Sequence, residues 1–325
     1  MKSLQFSAFG DAADVIELVD IDEPSPPGPG EVLGAIEYTP INPSELLMVG
    51  GHYGVRPPLP APLGQEGVAR ILAVGEDVAN VKIGDRVIVP LGLPVWRERL
   101  TFSAHGLDAM PVAADAQQLS MIHVNPATAG ILLEAFVGLS PGDWVLQNAG
   151  NSGVGRNVIA FARELGVRTV SLVRRPDLVE GLKQAGGDVV LVDGPGIAKQ
   201  IEQATSGAKI RLALDGVAGD ATGSLSSSLA PGGKIVFYAG MSGKAGAANP
   251  IHFIFHNISL HGFWLGSPEW RDHPKVAVHK ATAIRLITER KLKVPVTATY
   301  RLTDFRAAIK HAQQGGKILF QPTEA

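Results

Sequence analysis

The most constraining stretch of the chain is Asn148-Ala149-Gly150-Asn151-Ser152-Gly153-Val154-Gly155. It follows a short apolar strand, Trp144–Gln147, and opens a helix expected over residues 155–165. Glycines there let the turn tighten and let backbone N–H groups approach a pyrophosphate at a helix N-terminus. The spacing departs from G-x-G-x-x-G, because Ser152 holds the second glycine position. Alone, such a loop also marks ordinary turns. Its surroundings decide the matter. Strands expected at 169–173, 189–192, 212–215 and 234–238 alternate with helical stretches such as 178–185. That alternation builds an α/β, doubly wound parallel sheet, and the loop within it points to a dinucleotide.

The chain has a different character before about residue 120. Strand-like runs at 32–38, 67–74 and 86–89 are separated by proline- and glycine-rich segments at 24–30 and 57–62, a loop-rich β pattern. After about Pro268 the pattern changes again, to a helix at 276–290, a strand at 296–300, a helix from Asp304 and a strand at 317–320. These tail segments are expected to return to the first domain. The expected division is residues 1–121 with 267–325, and residues 122–266. A length of 325 residues suits two domains of about 100–200 residues each.

Composition closes several alternatives. Hydrophobic residues are 45% of the chain and charged residues 18%, enough apolar material for a real core. A net charge of −2 gives no electrostatic footprint for nucleic acid. There is no cysteine, which removes disulfides, cysteine-ligated zinc and a thiol nucleophile together. No apolar run reaches the roughly 18 residues of a membrane span. Residues 1–10 read as the start of a strand, so the expectation is a soluble protein with no membrane partner. A bacterial cytoplasmic setting is expected, although a processed mitochondrial form would look the same.

The strand ending at Val173 is followed by Arg174 and Arg175, where an NAD site usually carries an acidic residue for the ribose hydroxyl. A guanidinium forms paired bonds to phosphate, which favours NADPH; the alternative is a solvated basic turn.

At this point the chain resembles the mitochondrial-type trans-2-enoyl thioester reductases, zinc-free members of the medium-chain dehydrogenase/reductase superfamily. The stretches that carry the resemblance run nearly end to end. They are Ile41-Asn42-Pro43-Ser44, Gly51-His52-Tyr53-Gly54, Gly64-Gln65-Glu66-Gly67-Val68, Trp96-Arg97 and Val124-Asn125-Pro126. The glycine loop, Tyr238-Ala239-Gly240-Met241 and Gly262-Phe263-Trp264-Leu265 complete the set. The resemblance implies a GroES-like β-rich catalytic domain completed by the tail, a Rossmann NADPH domain, and a homodimer joined through the Rossmann sheets. It puts the proton donor on Tyr53. It puts NADPH contacts on Asn125, Gly150, Asn151, Ser152, Gly153, Val154, Arg174, Arg175, Tyr238, Ala239, Gly240, Met241, Phe263, Trp264, Leu265 and Lys317. The family often has one more residue in the basic turn, where this chain goes straight from Arg174 to Arg175.

Reducing an activated C=C bond needs a hydride donor and a proton source. A tyrosine, with a pKa near 10, is protonated at neutral pH and can serve as it stands. Of the four tyrosines, only Tyr53 sits in a glycine-flanked loop; without the resemblance it reads equally as a loop aromatic. Asn42, held away from helix by Pro43, is a candidate polar contact near the nicotinamide or a local turn residue. Trp96 and Arg97 either line a substrate groove or are a packed tryptophan and a surface arginine. Arg97 and Arg99 are candidates for a basic groove mouth, with scattered charge as the alternative.

No zinc ligand set is visible: Gln65 and Glu66 follow Gly64, and His52, His105 and His123 have no ligand spacing. The expected reaction is NADPH-dependent reduction of a trans-2-enoyl thioester, carried on coenzyme A or acyl carrier protein. An NADPH:quinone or alkenal reductase of the same superfamily is the rival enzyme. A non-enzymatic NADPH-binding sensor is the rival of another class.

Overall fold

The structure, a computed structural model, describes residues 1–323. The chain divides into two units: Met1–His123 with the segment from Val294 onward, and Val124–Lys293.

The first unit is β-rich, as its proline and glycine punctuation predicts. Strand Glu31–Pro40 is its spine. It pairs antiparallel with Val68–Val74, Arg99–Ser103 and the C-terminal strand Ile318–Phe320. Ile318–Phe320 in turn pairs parallel with Ala298–Tyr300, so the tail completes this sheet. A smaller antiparallel sheet joins Lys2–Phe6 to Ile16–Asp20 and Ala61–Pro62. The core between them gathers Leu4, Phe6, Ile36, Trp96 and Phe320. Trp96 is wholly buried, edge-on to Phe320 with ring centroids 5.0 Å apart, and its indole N–H donates to Pro40 O at 3.2 Å. Trp96 therefore packs the core and does not line a groove, which corrects one of the two readings above.

The second unit carries a six-stranded sheet in which every pairing is parallel. In space the strands run Val189–Val192, Arg168–Val173, Trp144–Gln147, Leu212–Asp215, Lys234–Phe237, Ser259–Gly262. This is the Rossmann order, with the strand sequence reversing between Trp144–Gln147 and Leu212–Asp215. The last strand, Ser259–Gly262, was not anticipated; its four residues alternate half-buried and exposed, too short and too polar to stand out.

The domain boundary expected at 267 lies at 293. Helix Lys275–Thr288 belongs to the second unit, where it packs on helix Asn125–Glu134. Every residue of Asn125–Glu134 except Glu134 is buried, because helix Gly153–Glu164 also packs against it. A helix apolar all round needs partners on more than one side, and Lys275–Thr288 supplies one of them through His279, Ala283, Leu286 and Ile287. Gly130 permits the close approach, since a methyl group there would overlap the His279 ring.

Gly130→Ala should therefore destabilise the protein by roughly 1–3 kcal/mol through overpacking, measured by urea unfolding. Adding His279→Ala should recover most of that loss. Unchanged stability in the single variant would mean the helices do not meet as described.

Candidate cofactor and proton-donor sites

In the second unit the glycine loop leaves strand Trp144–Gln147 at the point where strand order reverses. The left-handed turn falls on Ala149, at φ +49°, and not on a glycine. The glycines serve close approach instead. A Cβ on Gly150 would stand 2.8 Å from the Ser171 Cβ, and one on Gly155 2.6 Å from Gly150 O. Ser152 is the N-cap of helix Gly153–Glu164, its Oγ accepting from Gly155 N–H at 3.0 Å. A serine in the second glycine position thus trades backbone freedom for a cap.

Two residues that the sequence did not single out hold the loop in place. Asn148 Nδ2 donates to Asp215 Oδ1 at 2.7 Å, and Asn148 Oδ1 accepts from Gly216 N–H at 2.8 Å. Asp215, fully buried, also accepts from Val217 N–H, Ala218 N–H and the Thr222 hydroxyl. The signal was present: a carboxylate closes an otherwise apolar strand, Leu212–Asp215.

Several expected contacts come together here. Asn125, 6% exposed, lies over Gly153, where a Cβ would sit 2.6 Å from its Nδ2. That Nδ2 is buried with no hydrogen-bond partner, a donor awaiting an acceptor. The Tyr238 ring lies over Gly216, and burial pushes its phenol up to about 12; the Asp215 charge adds to this and a Ser152 hydrogen bond opposes it. Asn151, Ala239, Gly240 and Met241 are exposed, and Ser152, Val154, Trp264 and Leu265 half-buried. Phe263 is the exception, because its ring is buried against Phe136 and Trp270, leaving only its backbone to meet a ligand. Arg174 and Arg175 are exposed at the end of strand Arg168–Val173, and Arg175 pairs with Asp177 at 3.3 Å. An unsatisfied buried amide, a helix N-terminus and exposed arginines on one sheet edge suit a phosphorylated dinucleotide.

Tyr53, Asn42, Lys317 and Arg97 belong to the first unit. Helix Pro43–Val49 ends in a Schellman-type turn: Gly51 has φ +74°, His52 N–H donates to Leu47 O at 2.8 Å and Gly51 N–H to Met48 O at 3.0 Å. The Arg56 guanidinium, lying over the Phe9 ring, donates twice to Gly51 O. The half-buried Tyr53 leaves this pinned turn directly. Arg97 is half-buried with its Nε unpartnered, whereas Arg99 is tied to Glu23 at 2.6 Å.

Asn42 and Lys317 do meet, in a buried polar cluster. Asn42 Oδ1 accepts from Lys317 Nζ at 2.8 Å, and Asn42 Nδ2 donates to Glu66 Oε1 at 2.8 Å. Both polar ends of the amide are thereby engaged, so Asn42 acts as the link between Glu66 and Lys317. Glu66 also accepts from His123 N–H at 2.9 Å. Glu45 accepts from Asn42 N–H at 3.0 Å, while its other oxygen is buried without a partner. Burial, with the nearby Glu66 charge, raises Glu45 from 4.5 to about 8. Burial lowers Lys317, and the two carboxylates oppose that shift. Sequence reasoning passed over Glu45, and gave Glu66 no role beyond its motif, because acidic residues are seldom fully buried.

The raised Glu45 has a definite sign. Between pH 4.5 and about 8 the folded protein keeps a proton that the unfolded chain releases, so this group's contribution to stability declines as pH rises through that window. Glu45→Gln should flatten the dependence, making the variant progressively more stable relative to the parent toward pH 8, measured by unfolding at several pH values. Parallel curves for the two proteins would show that Glu45 is ionised throughout.

The family model described as the alcohol dehydrogenase GroES-like domain matches residues 28–105, and the one described as zinc-binding dehydrogenase matches residues 153–282. The zinc in that description does not fit this chain. It has no cysteine, among the described residues no three His, Asp or Glu side chains gather as a metal site, and Glu66 already serves Asn42 and His123. Among solved structures, a putative NADPH:quinone reductase of Bacillus thuringiensis is similar at 27% identity and TM-score 0.85, covering 99% of both chains. The Etr1p/Etr2p 2-enoyl thioester reductase heterodimer of Candida tropicalis shares the fold at 24% identity and TM-score 0.87, over 98% of this chain and 99% of that one. The mitochondrial enoyl-[acyl-carrier-protein] reductases of Rattus norvegicus and Homo sapiens are each 36% identical over 95% of this chain and 85% of their own length. With both halves of the fold present and that similarity running nearly end to end, the chain belongs to the mitochondrial-type enoyl-[acyl-carrier-protein] reductase family of the medium-chain dehydrogenase/reductase superfamily.

Proposed function

We propose that the protein reduces the C=C bond of trans-2-enoyl thioesters to the saturated acyl thioester with NADPH. The observation that carries this reading, beside the family, is the placement of Tyr53. Tyr38 lies in strand Glu31–Pro40, Tyr300 ends strand Ala298–Tyr300 with its hydroxyl 3.0 Å from His311 Nδ1, and Tyr238 follows strand Lys234–Phe237 in the second unit. Tyr53 stands in the loop that follows helix Pro43–Val49, on a turn that the Gly51 geometry and Arg56 hold in shape.

In this reading the loop N–H groups and the Ser152-capped helix hold the pyrophosphate, Asn125 Nδ2 donates to the cofactor, and Arg174 meets the 2′-phosphate. NADPH, when bound, supplies a hydride for the β-carbon. A tyrosine phenol ordinarily carries its proton at neutral pH, and Tyr53 delivers it to the α-carbon, where the negative charge of the enolate resides in part. Lys317, whose Nζ donates to Asn42 Oδ1, is the first unit's other candidate cofactor contact. The carrier is coenzyme A or acyl carrier protein, and with Arg99 engaged by Glu23, Arg97 is the remaining basic candidate for contact with it. The homodimer belongs to this reading too. Its support is the outer strand Ser259–Gly262 with exposed Leu260, and the adjoining helix Pro250–His256 with exposed Ile251, Ile254 and Phe255.

The test is NADPH consumption with crotonyl-CoA beside a simple quinone, with the product identified by mass. Butyryl-CoA formation is expected. Efficient quinone reduction with no enoyl thioester turnover would favour the quinone reductase reading, which the Bacillus thuringiensis neighbour represents. Tyr53→Phe should keep NADPH binding and lower kcat by roughly 10²–10⁴-fold, the usual scale of general acid catalysis. Activity within about twofold of the parent would remove Tyr53 from the mechanism.

A further inference from the structure

The residue after the last loop glycine is Arg156, on the first turns of helix Gly153–Glu164. Its side chain reaches across to the neighbouring helix Val179–Gln184, where an Nη lies 4.0 Å from the place a Cβ on Gly181 would occupy. That second helix follows directly on the Arg174-Arg175 turn, through the short Pro176–Leu178 helix that Arg175 caps. Arg156 therefore spans from the glycine loop to the segment carrying the basic turn.

Its charge is uncompensated. Arg156 is half-buried, and its Nε is buried with no hydrogen-bond partner. Burial alone lowers its pKa, but a guanidinium stays protonated regardless. The acidic groups of the segment are occupied elsewhere. Asp177 pairs with Arg175 at 3.3 Å, and Glu180 accepts from Gln184 at 3.0 Å. Among the described residues no carboxylate pairs with Arg156. A cation held partly out of water without a counter-charge is costly, and an anion settling beside it removes that cost. Glycine at 181 leaves room on the facing helix.

We propose that Arg156 is a specificity-determining residue, acting with Arg174 on the 2′-phosphate of the adenosine ribose in the role from which Asp177 diverts Arg175. The inference rests on the NADPH reading and adds to it a residue from the helix, outside the basic turn. A guanidinium forms paired bonds with phosphate oxygens that a Gln side chain cannot replace.

The test is calorimetry of 2′,5′-ADP and 5′-AMP binding to the parent protein and to Arg156→Gln, Arg156→Lys and Arg174→Gln. The two nucleotides differ only in the 2′-phosphate. Arg156→Gln should weaken 2′,5′-ADP by about tenfold to a hundredfold, the scale of a lost charge-assisted bond, and 5′-AMP far less. Arg156→Lys should recover part of the loss. If Arg156→Gln weakens both nucleotides equally, or neither, while Arg174→Gln still discriminates, the role of Arg156 is refuted and the NADPH reading stands. If the parent binds the two equally, the NADPH reading fails and this inference with it.

Discussion

What the second unit offers to a ligand hangs on the Asn148 side chain. A doubly wound sheet leaves a crevice where its strand order reverses, but the loops at that crevice are free to diverge unless something joins them. Asn148 joins them, holding Asp215 with its amide nitrogen and Gly216 N–H with its amide oxygen. Asp215 then organises its own loop through two backbone N–H groups and Thr222. With the loop fixed in this way, Ala149 can be held at φ +49°, a conformation costly for a residue with a Cβ, and Ser152 can cap the helix that follows. The unsatisfied Asn125 amide and the Tyr238 ring lying over Gly216 gain meaning from that fixed frame.

The first unit solves a different problem, that of keeping a lysine and two carboxylates out of water together. Glu45, raised to about 8, lies beside Glu66, and Asn42 links Glu66 to Lys317 through both ends of its amide. A buried polar link of this kind contributes little to stability in itself, yet removing either partner leaves a buried polar group stranded. The cluster therefore fixes position more than it adds stability. It also ties the start of helix Pro43–Val49 to the C-terminal strand, while the other end of that helix sets the departure of Tyr53.

Much of this was legible in the sequence, for reasons that can be named. The strand–loop–helix unit at 144–164 and the parallel alternation after it declared the Rossmann sheet, because apolar period and glycine placement both report local geometry. The β-rich first unit was legible from its proline and glycine spacing. Helix Lys275–Thr288 was found but given to the wrong unit, since an amphipathic pattern says that a face is buried and not against what. Trp96 and Asn42 each admitted two readings, ligand-facing or local, and their polar atoms are spent on Pro40, Glu66 and Lys317. Asp215 and Glu45 stayed hidden, and Asn148 and Glu66 were quoted within motifs without a role, because a buried polar side chain is recognised only by the partner that folding brings to it.

The central claim is directional: hydride to the β-carbon and a solvent-derived proton, passed through Tyr53, to the α-carbon. The most direct measurement is the position of label in the product. Crotonyl-CoA should be reduced once with NADPH carrying deuterium at the transferred position in ordinary water, and once with unlabelled NADPH in deuterium oxide, with each product analysed by NMR. The account predicts deuterium at C3 of the butyryl group in the first case and at C2 in the second. Label from the cofactor at C2, or solvent deuterium at C3, would contradict it.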